Sequence, residues 1–125
     1  MVIRMMREFL KAKIHGATIT QANINYTGSL SIDEEILEKS GILPNERIYV
    51  YNINNGHRFD TYVIKGDKGS REIGLNGAAA RLGAIGDRLI IVAYCNLEES
   101  EIKNHQARVL ILGENNVIEK VIENY

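Results

Sequence analysis

The chain has 125 residues, the size of one ordinary domain, with 45% hydrophobic and 25% charged residues. Its 15 basic and 16 acidic residues give a net charge of −1 at pH 7, without the basic stripe that nucleic-acid binding requires. The apolar run 89–95 is too short to span a bilayer and Cys95 is the single cysteine, so we expect one cytoplasmic domain over residues 1–125 with no nucleic-acid or membrane partner.

Short strands dominate the predicted elements. Residues 1–8 interrupt their apolar positions with charge, so they lack a signal-peptide core and are expected to begin a strand or a helix. Runs rich in β-branched residues predict further strands at 12–19, 23–27, 71–75, 88–95 and 108–112. The strongest pair is 47–53 with 58–64, because the intervening Asn55-Gly56 suits the positive φ of a primed hairpin turn.

One helix is well marked. Ser31 is expected to cap its start, and Glu34, three residues later, completes the pattern of a capping box. An apolar stripe follows at helical spacing, formed by Ile32, Ile36 and Leu37. Gly41 and then Pro44 predict where the helix ends.

The remaining elements favour a mainly β fold. A short helical turn is expected over residues 78–82, and the charged segment 97–106 fits either a loop or a short helix. Many short strands with glycine-rich turns and few helices are typical of a closed or nearly closed β-barrel. The pattern indicates this class without fixing the order of the strands.

Familiar catalytic and metal-binding motifs are absent from the sequence. The histidines His15, His57 and His105 are far apart, and no paired cysteines or zinc-type spacing accompany them. Gly66-Asp67-Lys68-Gly69-Ser70 lacks the spacing of a phosphate-binding loop and is expected to form a turn. We therefore expect no metal site.

Three separated segments carry a more specific pattern. They are Lys13-Ile14-His15 continuing to Tyr26-Thr27-Gly28-Ser29, then Asn55-Gly56-His57-Arg58-Phe59-Asp60-Thr61-Tyr62, then Asn76-Gly77-Ala78-Ala79-Ala80 with Gly86-Asp87. In this order and spacing they resemble the pyruvoyl-dependent aspartate 1-decarboxylase family, closely as far as residue 95 and loosely after residue 96. The resemblance implies a double-psi β-barrel with short capping helices, assembled as a homotetramer with active sites between subunits.

The chemistry of this family explains why a Gly-Ser pair would matter. Decarboxylation leaves electrons at Cα, and an electron-poor carbonyl joined to the substrate amine accepts them, a role that pyridoxal phosphate has elsewhere. The resemblance implies a covalent pyruvoyl group made from Ser29, with neither metal nor pyridoxal phosphate. Ser29 would attack the Gly28 carbonyl, so that the chain divides into residues 1–28 and 29–125. We expect Gly28, without a Cβ, to permit close approach and a strained backbone.

The resemblance also assigns roles to other residues. Thr61 is expected to assist self-cleavage, and Tyr62 to return a proton to Cα, since a phenol is a reasonable acid toward a basic carbanion. Arg58 is expected to bind a substrate carboxylate through its planar guanidinium. The full set of substrate-binding positions is Lys13, His15, Arg58, Thr61, Asn76, Gly77, Ala78 and Ala79.

The implied function is conversion of L-aspartate to β-alanine and CO₂, for pantothenate and coenzyme A synthesis. A related acidic substrate such as glutamate stays open, because one methylene is worth only about 1–3 kcal/mol in a pocket. A catalytically silent barrel that serves as a binding or regulatory module stays open as well. The sequence is compatible with spontaneous cleavage or with help from a maturation factor, and with a precursor or a processed chain.

Overall fold

The computed structural model describes residues 4–125, and within this range the chain forms nine strands with two short helices. The strands are β1 (Met6–Thr18), β2 (Gln21–Asn23), β3 (Ser29–Asp33), β4 (Arg47–Asn52), β5 (Arg58–Gly66), β6 (Ile73–Asn76), β7 (Arg88–Glu98), β8 (Arg108–Leu112) and β9 (Ile118–Ile122). The helices are α1 (Glu34–Ser40) and α2 (Glu99–Ile102), and two single 3₁₀ turns cover Gly77–Arg81 and Glu114–Asn116. Residues 1–3, part of the segment judged unlike a signal peptide, lie outside the described residues.

The strands form one mixed sheet in the order β2-β6-β3-β5-β4-β7-β1-β8-β9. Three neighbouring pairs are parallel, namely β2 with β6, β3 with β5, and β1 with β8, and the other five are antiparallel. The sheet curves around one apolar core, which includes Ile14, Leu30, Ile48, Val63, Leu75, Ile91 and Leu110. This barrel-like, mainly β architecture with short helices confirms the predicted fold class.

The predicted hairpin is present, but its turn differs from the prediction. β4 and β5 pair antiparallel up to Tyr51 and Arg58, and the Asn52 N–H donates to the His57 carbonyl at 2.9 Å. Gly56 alone in this loop has a positive φ, +78°. A two-residue primed turn at Asn55-Gly56 was therefore wrong, since the loop is longer and needs only one left-handed residue.

Helix α1 begins two residues later than predicted. Ser31 lies inside β3, and Asp33 caps the helix by accepting the Glu35 N–H at 2.8 Å. The Asp33 carboxylate also accepts the N–H groups of Gly69 and Arg71, at 2.9 and 2.7 Å. The Asp33 carboxylate therefore caps the helix in place of Ser31, because it accepts hydrogen bonds from three backbone N–H groups and Ser31 lies within a strand.

The strand predicted at 23–27 was wrong, because β2 ends at Asn23 and the chain turns after it, and two further strands escaped the sequence analysis. β3 is buried at all five positions because it pairs on both sides, with β5 and β6. β9 is short and mostly exposed, so its hydrophobic pattern is weak. Among the described residues, no helix combines the length and the apolar composition needed to cross a membrane.

Candidate active site

Ser29 begins β3 in an unusual backbone conformation. Its φ is +143°, a region that L-residues rarely adopt, and its side chain is buried. Such a conformation costs about 1–3 kcal/mol and is held in place by its surroundings. Gly28, by contrast, is exposed, and a Cβ there would meet nothing closer than the Asn76 carbonyl oxygen at 3.9 Å. The strained backbone expected at Gly28 therefore lies one residue later, in the φ of Ser29, while the close approach of another segment expected at Gly28 is made by Gly77.

Asn76 holds the Ser29 side chain. Its Nδ2 group donates to the Ser29 hydroxyl at 3.3 Å and to the Ser31 hydroxyl at 2.9 Å. The backbones of Ser29 and Asn76 are also directly paired across β3 and β6. Because Asn76 is the donor in both bonds, the Ser29 hydroxyl keeps its own hydrogen to donate elsewhere.

Gly77 allows the chain before Ser29 to approach the 3₁₀ turn. Its φ is +65°, and a Cβ at this position would lie 2.7 Å from the Gly28 Cα and 3.0 Å from the Tyr26 carbonyl oxygen. Cβ atoms essentially never lie as close as 2.7 Å to a backbone atom, so the backbone here would have to shift. The close backbone contact therefore requires glycine at position 77.

A small pocket of about 160 Å³ opens beside the Gly28–Ser29 linkage. We call this cavity the serine pocket. Its lining residues are Gly28, Ser29, Phe59, Asp60, Thr61, Ala78, Ala79 and Leu82. Five of the residues expected at the site therefore meet here, and Asn76 and Gly77 contact them directly. Sequence reasoning missed Phe59, Asp60 and Leu82, although Phe59 lies two residues from Thr61 and so on the same face of a strand.

Arg58 and Tyr62 lie on the other face of β5. Side chains alternate along a strand, and the half-buried positions Phe59 and Thr61 alternate with exposed Arg58, Asp60 and Tyr62. The Tyr62 side chain remains 42% exposed. Within one chain, these two residues therefore point away from the barrel interior that Thr61 faces.

Lys13 and His15 share this outward side of the sheet. Lys13 is paired with Val92 and Val92 with Tyr49, while His15 is paired with Ile90 and Ile90 with Tyr51. Paired residues of neighbouring strands share a face. We call this surface the outer face, and its polar and aromatic residues are Lys13, His15, Tyr49, Tyr51, Arg58, Tyr62 and Tyr94. The fold thus divides the predicted site residues between the serine pocket and the outer face.

Several cationic side chains lie on or beside the outer face. Partial burial lowers the pKa of His15, and the nearby cations Lys13 and Arg88 lower it further, so its imidazole is neutral at pH 7. His15 and Arg88 border a cavity of about 410 Å³, which is larger than the serine pocket and is also lined by Glu114 and Glu119. Within residues 4–125, no carboxylate lies within 4.0 Å of the Arg58 guanidinium, so its charge is available to a ligand.

No metal centre accompanies these features in the described part of the chain. No group of three or more His, Cys, Asp or Glu side chains there is arranged to hold a metal ion. The serine pocket and the outer face together provide a buried hydroxyl at a strained backbone position, a side-chain amide, a phenol and several cationic side chains. They suit acid–base and covalent chemistry on a small charged molecule.

Comparison with known proteins agrees with this chemistry. The chain is 56% identical to an aspartate 1-decarboxylase of Caldicellulosiruptor saccharolyticus over 117 residues, which cover 94% of this chain and 91% of the relative. It is 56% identical to the aspartate 1-decarboxylase of Carboxydothermus hydrogenoformans, over 95% of this chain and 94% of the relative. A Staphylococcus aureus protein of the same name is 52% identical, over 94% and 93%.

The barrel-like fold and the serine pocket, together with these relatives, define a small β-barrel enzyme of the decarboxylase class. The aspartate decarboxylase family model matches residues 5–119. The chain belongs to the aspartate decarboxylase family. The resemblance noted in the sequence is thereby confirmed over nearly the whole chain, including the C-terminal part where it had been loose.

Proposed function

We propose that the chain is an aspartate 1-decarboxylase, which removes the α-carboxylate of L-aspartate as CO₂ and releases β-alanine for pantothenate and coenzyme A synthesis. Membership of the family supports the reaction. The structural observation that carries the proposal is Ser29, a buried serine with a strained φ and a hydrogen-bonded hydroxyl, joined to exposed Gly28. A single thiol, Cys95, fits a reducing cytoplasm.

Ser29 is the proposed source of a pyruvoyl group. Its Oγ attacks the Gly28 carbonyl carbon, and an ester replaces the amide bond. Loss of the Ser29 α-proton then breaks the ester, leaving a carboxylate on Gly28 and dehydroalanine at position 29, which takes up water and releases ammonia. Freeing the amide nitrogen removes the constraint on φ, so strain of about 1–3 kcal/mol favours the first step. Residues 1–28 and 29–125 become separate chains, either spontaneously or with a maturation factor.

The neighbours of position 29 suit such a group. Its ketone supplies the carbonyl that joins the substrate amine and accepts the electrons left when CO₂ departs. Asn76 holds the oxygen of Ser29 before cleavage, and Thr61 lines the same pocket and can assist the attack. Ala78 and Ala79 belong to the first part of a 3₁₀ turn, where backbone N–H groups lack partners within the turn and can bind an oxyanion.

A second copy of the chain would complete the site. The side chains of Arg58 and Tyr62 lie on the side of β5 opposite to the one that Thr61 faces, so we expect that one chain alone does not bring them and the serine pocket to one small substrate. In a homotetramer with sites between subunits, the outer face of one copy covers the serine pocket of another. Lys13, His15, Arg58 and Tyr62 then reach the substrate, with Tyr62 returning a proton to Cα.

Arg58 is proposed to bind the side-chain carboxylate of aspartate rather than the one that leaves. An ion pair on the leaving carboxylate would stabilise the ground state against conversion to neutral CO₂. The side-chain carboxylate keeps its charge throughout the reaction, so binding it orients the substrate without that penalty. Lys13 adds positive potential on the same face.

Replacing Arg58 by alanine tests this assignment. Loss of a charge-assisted hydrogen bond is expected to raise the KM for aspartate about thirtyfold, while self-cleavage still goes to completion. Steady-state kinetics and intact mass spectrometry measure the two effects. Arg7→Ala is the matched control, because Arg7 is exposed and paired with Glu99, and its KM should stay within about twofold. An Arg58→Ala chain that fails to cleave would contradict the separation of roles.

Substrate choice distinguishes the remaining alternatives. The serine pocket is small, and we expect kcat/KM for aspartate to exceed that for glutamate by about tenfold or more. Release of CO₂ from each amino acid at equal concentration measures the ratio. A preference for glutamate would support the related decarboxylase, and an intact chain that releases CO₂ from neither would support a silent binding barrel.

A further inference from the structure

An aromatic contact restricts the Arg58 side chain on the outer face. Its guanidinium carbon lies 4.2 Å from the centre of the Tyr51 ring, the distance of a cation–π contact. The two residues are direct partners across β4 and β5, so the stacking follows from the strand register. An arginine held on an aromatic ring loses fewer conformations when it binds a carboxylate.

The Tyr51 ring is itself held by a second tyrosine. The hydroxyl oxygens of Tyr51 and Tyr94 are 3.1 Å apart, within hydrogen-bond distance. Tyr94 in turn packs edge-on against Tyr49, with ring centres 5.5 Å apart and planes at 67°. Three aromatic rings from β4 and β7 therefore form one connected layer beneath Arg58.

A second arginine on the same surface provides a contrast. Arg47 lies 5.5 Å from the Tyr49 ring centre but also binds the Asp60 carboxylate at 2.9 Å. Its charge is already paired. Arg58 has no such partner among the described residues, so the aromatic layer presents one paired and one available guanidinium.

We propose that Tyr51 and Tyr94 are positioning residues, which fix Arg58 for the side-chain carboxylate of the substrate through a ring contact and a hydroxyl–hydroxyl hydrogen bond. The inference rests on the proposed function, and it adds two residues that neither touch the reacting atoms nor belong to the serine pocket. Tyr51 acts directly on Arg58, and Tyr94 acts through Tyr51.

The Tyr94 hydroxyl stays protonated over the pH range of an assay. The hydrogen bond to Tyr51 and partial burial raise the pKa of Tyr94 to about 12. Tyr94 therefore keeps its proton at neutral pH. A change in KM on removing the Tyr94 hydroxyl then reflects lost positioning rather than lost charge.

Three variants test the proposal. Tyr51→Leu removes the ring and is expected to raise the KM for aspartate about tenfold, with kcat within about twofold and self-cleavage complete. Tyr94→Phe removes one oxygen atom and is expected to raise KM about threefold. In the Tyr51→Leu background, Tyr94→Phe should have no further effect, since it acts through the missing ring. Tyr51→Trp, which keeps an aromatic face, should restore KM to within about twofold of the unmodified chain.

Binding of succinate gives a second readout that does not depend on turnover. Succinate has both carboxylates of aspartate and no amine, and titration calorimetry should show the same order of weakening. Tyr125→Phe and Tyr125→Leu are the controls, because Tyr125 is exposed at the C-terminal end. Unchanged succinate affinity in Tyr51→Leu and Tyr94→Phe, or an unmodified chain that does not bind succinate, would overturn the inference. Weakened succinate binding in a chain that releases no CO₂ would support the inference and refute the proposed function.

Discussion

Replacing Ser29 by alanine is expected to leave the chain in one piece and without decarboxylase activity. Without Oγ, no atom at position 29 can attack the Gly28 carbonyl, and no dehydroalanine can form. The effect should be complete rather than partial, because in the proposed reaction the same residue is both the nucleophile of cleavage and the source of the reactive carbonyl. Intact mass spectrometry after prolonged incubation and release of CO₂ from aspartate measure the two losses.

Ser31→Ala is the matched control for this change. Ser31 is buried two residues further along β3 and receives a hydrogen bond from the same Asn76 group, at 2.9 Å. Its loss removes a hydroxyl of the same environment without touching the linkage to Gly28. The Ser31→Ala chain should still cleave and decarboxylate, while a Ser29→Ala chain that cleaves would contradict the assignment.

Gly77→Ala is expected to have the second largest effect. A Cβ at this position would lie 2.7 Å from the Gly28 Cα and 2.9 Å from the Gly28 nitrogen, so the segment around Gly28 must move. A displacement of about 1 Å can cost about a hundredfold in rate, and we expect self-cleavage to slow by at least that factor. Overpacking together with the φ of +65° should lower the free energy of unfolding by about 2–4 kcal/mol. The time course of cleavage and denaturant unfolding measure the two effects.

The Gly86→Ala variant distinguishes the effect of a positive φ from the effect of the steric contact. Gly86 also has a positive φ, +95°, but a Cβ there would meet nothing within 4 Å. This variant should lose about 1 kcal/mol of stability and cleave at the normal rate. If Gly77→Ala cleaves as fast as Gly86→Ala, the close approach of Gly77 to Gly28 is not needed for the reaction.

Local sequence patterns predicted those features of the fold that depend on residues close together in the chain. Gly41 ends helix α1 with a φ of +80°, as its position after an apolar stripe indicated. The start of α1 was misplaced because Ser31 and Asp33 are both residue types that cap helices well. Only the tertiary structure decides which of the two side chains accepts the N–H group at the helix start. Residues 69–71 bring the two extra backbone donors to Asp33, and they are distant in sequence.

The members of the candidate site were predicted from the family resemblance, which did not predict their arrangement. The resemblance carried by three segments implied Gly28, Ser29, Thr61 and Ala78, which parallel pairing of β3 with β5 and antiparallel pairing of β3 with β6 bring together. No local pattern indicates the positive φ of Ser29, since it arises from the surrounding barrel. The separation of the outer face from the serine pocket likewise follows from strand register, which sequence alone did not supply.

Covalent capture of aspartate at position 29 tests the central claim most directly. The purified chain is incubated to completion, mixed with L-aspartate and borohydride, and analysed by intact mass spectrometry. The account predicts two fragments, one ending at Gly28 and the other starting at position 29. One substrate-derived adduct is expected, on the larger fragment only. An unbroken chain of 125 residues that carries no adduct and releases no CO₂ after prolonged heating would contradict it.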